Sequence, residues 1–214
     1  MKTETRNFQI QKAETREGVD GKGKTLVGYA AVFDSRSEDL GGFTEIIAPG
    51  AFTKTLSENR KIKALAHHEW DQVLGAVSSG TLRLGTDATG LSVEVDPPNA
   101  SYANDLVESI SRGDIDGMSF AFEPIIDEWE YDRAADTFTR TLKEVRLFEV
   151  SFVAYPAYSA TTASVRDLMG ARADELYQLR EAETRTQTQT VATEAVLETP
   201  QPVAAPSLAR YRFL

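Results

Sequence analysis

GDIDGMSFAF, residues 113–122, is where the chain changes period, and the reading of that change decides the fold. Upstream, in SYANDLVESISRGD (101–114), Leu106, Val107 and Ile110 recur at helical spacing, and Gly113 stands where a left-handed C-cap belongs. Downstream, Met118, Phe120 and Phe122 alternate with Ser119 and Ala121, the two-residue period of a strand that turns its bulky face to a core. A short helix therefore hands over to a strand at this turn. Ser119 is left beside a small neighbour on the opposite face, with room there for a peptide.

Working outward, strand character dominates. NFQIQKA (7–13) and KTLVGYAAVF (24–33) are apolar stretches separated by REGVDGKGK (16–24), whose glycines and charges suit a hairpin loop, so an antiparallel start is expected. In GGFTEIIAPGAFTKTLSENR (41–60) a short strand runs into Pro49-Gly50 and then into a short helix over 51–56. KIKALAHH (61–68) continues as strand. VLGAVSSGTLRLGTDATGLSVEVDPP (73–98) alternates, with turns at Ser79-Gly80 and Thr89-Gly90 and a stop at Pro97-Pro98, and predicts two or three meandering strands. GMSFAFEPI (117–125), TFTRTLKEV (137–145) and LFEVSFVAY (147–155) return to strands. The body is α+β, mostly β, with a few helices.

Beyond it the composition shifts. Residues 1–165 read as one domain. The stretch 166–185 is charged and helical in composition, with Leu168, Leu176 and Leu179 as facing positions. From Thr186 to the end the chain is rich in Thr, Gln, Ala and Pro and poor in large apolar groups, which predicts a flexible tail over 186–214. It closes on LARYRFL (208–214), a basic-aromatic cluster readable as a docking peptide or as a frayed end.

Charge and composition narrow the function classes. The 214 residues carry 23 Lys and Arg against 33 Asp and Glu, a formal charge of −10, which argues against nucleic-acid binding because phosphate neutralisation needs clustered cations. No cysteine is present, so disulfides, thiolate nucleophiles and Cys-ligated zinc are excluded. Neither a signal-peptide core nor a membrane-length apolar run occurs, so a soluble, intracellular protein is expected.

Four residues concentrate the candidate chemistry. The two histidines, His67 and His68, are adjacent, and on a strand their rings would point to opposite faces, which disfavours a shared metal; the HExxH spacing is absent too. Two strand-end histidines with no role is one reading, and a general base the other. Ser119 is either a nucleophile or an ordinary strand serine; GMSFA matches the G-x-S-x-G/A elbow only loosely, since that motif leads from strand to helix. Glu149 lies in RLFEVSFVAYPAY (146–158), sharing strand parity with Leu147, Ser151 and Val153, and needs a partner if buried: Arg140 or Arg146, or a histidine that it orients.

GYAAVFDSRSEDLGGFTEIIAPGAF (28–52), HHEWDQVLGAV (67–77), GDIDGMSFAF and LFEVSFVAYPAY (147–158), in this order and at these separations, resemble the successive blocks of the tailed-phage prohead serine proteases, distant relatives of the herpesvirus assemblins. The resemblance covers about residues 8 to 160. It implies an assemblin-like antiparallel β-barrel core with a few surrounding helices. In that family the base is a histidine followed by an acidic residue and then a Leu-Gly pair, which selects His68 before Glu69 and Leu74-Gly75. The serine of the GMSF block, Ser119, is then the nucleophile, and Glu149 of the EVS block the third member, with Arg140 or Arg146 as candidates to help stabilise the oxyanion. The resemblance further implies a serine endopeptidase, without metal or organic cofactor, that cuts a scaffold protein or the scaffold-like N-terminal region of the major capsid protein, and itself. It would act inside the assembling procapsid in the host cytoplasm, with no membrane or nucleic-acid partner and with a homo-oligomer allowed. A non-enzymatic scaffold or capsid-interior protein is the alternative; it would share the acidic charge and the tail but has no need of Ser, His and Glu in one place.

Overall fold

The computed structural model describes residues 3–8, 13–17, 23–58, 61–132, 136–154, 169 and 173–197. Two compact units divide the chain, Met1–Gly170 and Ala171–Leu214. Among the described residues the first holds ten strands: β1 (Glu4–Phe8), β2 (Glu14–Glu17), β3 (Lys24–Val32), β4 (Phe43–Ile47), β5 (Lys63–Ala66), β6 (Glu69–Ala76), β7 (Leu82–Thr86), β8 (Gly90–Val95), β9 (Gly117–Asp132) and β10 (Thr137–Val153). Helix α1 (Thr53–Glu58) precedes β5, and α2 (Ser101–Arg112) precedes β9. The mostly β class with few helices is what the alternation predicted, and the larger sheet curls as a half-barrel.

That sheet runs β1-β9-β10-β5-β6, with β4 also on β10; a second sheet runs β2-β3-β8-β7. The core lies where the two sheets face each other: Leu26, Ala30, Leu91, Val93 and Val95 from one, and Phe120, Phe122, Leu147, Val150 and Phe152 from the other, with Phe52, Leu106 and Ile110 of the helical segments joining them. At α2 the sequence reading holds closely. Ala103, Leu106 and Ile110 form its buried face, and Gly113 takes φ +80° as a left-handed cap whose N–H bonds back to the helix. Gly75 is a close approach of a different kind, because a Cβ there would lie 2.5 Å from Val95 Cγ2 and 2.9 Å from the Thr81 carbonyl oxygen.

Four differences from the sequence reading matter. First, the N-terminal hairpin partner of β3 is β2, whereas residues 4–8 leave for the other sheet and pair with β9. Second, the sheet is not purely antiparallel: β10 carries β4 on its first half and β5 on its second, both parallel. Alternation reports which face is buried, not strand direction, so this was invisible in the sequence. Third, the two segments 137–145 and 147–155 form one continuous strand as far as Val153, bent by irregularities that include one at Phe148. Fourth, helix α3 (Ala173–Leu197) passes the boundary set at Thr186, since Thr, Gln, Ala and Val are all tolerated in a helix when no Gly or Pro interrupts. Residues 198–214, with the LARYRFL cluster, lie outside the described residues.

β1 is fastened by a buried charge network. Arg140, 1% exposed, reaches Glu4 at 2.7 Å, Asp127 at 2.7 Å and Glu45 at 3.3 Å. Arg6 closes it against Glu4 at 2.6 Å and Glu45 at 2.7 Å. Burial pushes the Glu4 carboxyl up, but Arg140 and Arg6 outweigh it and hold the group below the usual carboxylate range. A carboxyl depressed in the folded state contributes stability above its unfolded pKa and loses it as pH falls through the folded value. Arg140→Ala leaves Glu4 and Glu45 short of a partner, so it is expected to cost about 3–5 kcal/mol at pH 7. Urea unfolding checks this, and the penalty should shrink as the buffer is taken well below pH ~4.

Candidate active site

Local chain geometry delivers each of the three side chains singled out in the sequence. Ala66 pairs with Glu69, so His67 and His68 are the two residues of a tight β5–β6 hairpin turn rather than strand residues. Both have positive φ, +54° and +64°. Two-residue hairpins need such angles and normally recruit Asn-Gly, because a side chain in the left-handed region costs roughly 1–2 kcal/mol. Two adjacent histidines there are strained backbone of the kind that gathers at functional sites. The turn is pinned to β10: His67 N–H donates to the Phe152 carbonyl at 3.0 Å, and His68 N–H to Ser151 Oγ at 3.2 Å.

On β10 the irregularity at Phe148 re-aims Glu149. Leu147 pairs with Phe122 and sits in the core, yet Glu149 pairs with Ala121, the next residue along β9, so Leu147 and Glu149 point to opposite faces. The shared parity read from the sequence is thus broken by one extra residue, which is how a bulge turns a side chain over. Glu149, 1% exposed, now places Oε1 2.7 Å from Nδ1 of His68, and its Oε2 accepts a hydrogen bond from Ser151 Oγ at 2.5 Å.

A carboxylate can only accept at Nδ1, so that nitrogen carries the proton and Nε2 is left with its lone pair. Nε2 is shielded from solvent and has no hydrogen-bond partner among the described residues. Ser119 lies directly across from Ser151 on the β9–β10 pair, on the same face as Glu149. Its surroundings differ from the sequence expectation of a face with room. Ser119 is fully buried, Asn7 of β1 sits opposite it on its other side, and its hydroxyl donates to the Arg6 carbonyl at 2.9 Å. The structure therefore joins His68 and Glu149 directly and places Ser119 opposite Ser151, the residue that bonds to both.

Arg140 and Arg146 are not brought to this cluster. Arg140 is held in the β1 network, nine positions before Glu149 on β10, or roughly 30 Å of strand at about 3.3 Å per residue. Arg146 is half exposed and pairs with Glu123 at 2.6 Å. Among the described residues no His, Asp and Glu side chains group as a metal site. Ser151 is the participant sequence reasoning gave no role; its only signal was a polar residue two positions after an embedded carboxylate in an apolar run.

Residues 9–174 match the family model described as caudovirus prohead serine protease, well over half of the chain. The chain belongs to this family. Among curated members, the prohead protease of Enterobacteria phage HK97 is 29% identical over 155 residues, which cover 71% of this chain and 64% of that one. Prohead proteases of this kind thus include a relative of which the chain spans a little under two thirds. A solved structure, the capsid assembly protease of bacteriophage T4, aligns over 71% of this chain and 96% of its own at 12% identity, with a TM-score of 0.49.

Proposed function

We propose that the protein is a serine endopeptidase of capsid maturation, with Ser119 as nucleophile, His68 as general base and Glu149 as the carboxylate that orients it. The observation that carries this reading is the His68–Glu149 hydrogen bond at 2.7 Å, which fixes the Nε2-basic tautomer in a strained turn pinned to Ser151, the strand partner of Ser119. In the reaction the Ser119 hydroxyl leaves the Arg6 carbonyl and turns to Nε2. Oγ then attacks the peptide carbonyl as His68 takes its proton, and the resulting imidazolium gives that proton to the departing amine. Water, deprotonated by the same nitrogen, releases the acyl group and restores Ser119. Glu149 stabilises the imidazolium in both halves. With Arg140 committed to Glu4, Glu45 and Asp127, the oxyanion falls to main-chain N–H groups.

The substrates consistent with the family description are a scaffold protein or the scaffold-like N-terminal region of the major capsid protein, met inside the assembling procapsid in the host cytoplasm, and the chain itself. A fluorophosphonate probe tests the enzymatic reading without a known substrate. Mass spectrometry is expected to find a single adduct on Ser119, suppressed in His68→Ala. A chain that stays unlabelled inside assembled procapsids would favour a scaffolding role instead. Co-expression with a candidate capsid protein and mapping of the fragments would then define the cleavage site.

A further inference from the structure

Ser151 is fully buried, and its hydroxyl both donates and accepts a hydrogen bond within the site. The Oγ–H donates to Glu149 Oε2 at 2.5 Å, while a lone pair on Oγ accepts the His68 main-chain N–H at 3.2 Å. Because the N–H can only donate and the carboxylate can only accept, the hydroxyl proton has one direction, toward Glu149. Resting on the peptidase reading above, we infer that Ser151 is a positioning residue, a fourth member that holds the carboxylate and the histidine backbone in the geometry they need with respect to each other.

The requirement comes from both partners. The Glu149 side chain is buried and has two oxygens; one meets Nδ1 of His68, and among the described residues Ser151 is the donor that meets the other and stops the carboxylate rotating about its last bond. His68 stands at φ +64°, a conformation that persists only where its surroundings over-determine it. A single hydroxyl answers both needs from the residue directly opposite Ser119 on the sheet, so the nucleophile, base and carboxylate are referred to one point on β10. Ser151 Oγ is held from two sides, by Glu149 and by the His68 main-chain N–H, whereas among the described residues Ser119 Oγ meets the Arg6 carbonyl alone.

The test uses the full chain and compares wild type, Ser151→Ala and Ser151→Thr. Two readouts are taken: the limiting rate and affinity of fluorophosphonate acylation at Ser119, and the low-field proton resonance of His68 Nδ1–H in the unreacted protein. Ser151→Ala is expected to lower the limiting rate about 10- to 100-fold at unchanged probe affinity, and to shift the resonance upfield or lose it to exchange. Ser151→Thr, which keeps the hydroxyl, should recover most of both. If Ser151→Ala does not fold, Ser151→Cys, with a weak donor and weak acceptor of similar size, carries the same comparison. A wild-type acylation rate without the hydroxyl, a rate loss that leaves the resonance unmoved, a folded Thr variant that recovers neither readout, or an adduct on Ser151 itself would each overturn the inference. A wild type that never labels counts against the peptidase reading, and the resonance comparison, which needs no turnover, still decides on Ser151.

Discussion

Ser119→Ala and His68→Ala are each expected to lower peptide hydrolysis by at least ~10⁴-fold, while His67→Ala keeps it within a few-fold of wild type. The two histidines are neighbours in one turn, so the contrast between them tests the site rather than the region. His68 has its Nδ1 on Glu149 and an Nε2 that meets no partner among the described residues; His67 is exposed, and the contact that anchors it is made by its main-chain N–H, which an alanine retains. Alanine at φ +54° meets the same left-handed penalty as histidine, so the turn should form, and His67→Gly provides a check that relieves it. Ser119→Ala removes one hydrogen bond to the Arg6 carbonyl in a fully buried position, a loss of roughly 1–3 kcal/mol that the fold should survive. Thermal melts of all variants separate lost chemistry from lost structure. An inactive His67→Ala beside an active His68→Ala would move the base by one residue and break the correspondence with Leu74-Gly75.

The parts of this molecule legible in its sequence are those that obey a local period. Leu106, Ile110 and Gly113 announce a helix and its end, and Met118, Phe120 and Phe122 announce a core strand, because burial of one face imposes the period directly. What the period could not show is pairing between distant segments. Nothing in Glu4-Thr5-Arg6 tells that this segment lies along β9, since the partners of its charges are Glu45 and Arg140, far away in the chain. The same limit hid the burial of Ser119, which depends on β1 being there. Glu149 illustrates a second kind of failure: strict alternation puts it with Leu147, and only the irregularity at Phe148 puts it with Ser119 and Ser151. His67-His68 is a third, a turn written without turn residues. The departures from local rule cluster where the proposed chemistry is, as expected if strain and irregularity are tolerated there for function.

Glu149→Gln is expected to reduce turnover by about 10⁴-fold while leaving the melting transition close to wild type. The substitution keeps the volume of a buried side chain, so packing on β10 is preserved; the change is in what its two terminal atoms can do. In the wild type both are acceptors, Oε1 for the Nδ1 proton of His68 and Oε2 for the Ser151 hydroxyl. Glutamine offers one acceptor and one donor. If its NH₂ faces His68, Nδ1 must give up its proton, Nε2 takes it instead, and the base is lost. If its oxygen faces His68, the tautomer survives, but the Ser151 proton is displaced and no negative charge meets the imidazolium that forms as Ser119 attacks. Both orientations weaken the step, and the position of the His68 ring proton by NMR tells which is adopted. Glu149→Asp retains the charge one methylene short of Nδ1 and should fall between the two. A stable Gln variant with near-normal turnover would show that Glu149 is a packing group with an incidental contact, and would transfer the orienting role to Asp71, Asp116 or water.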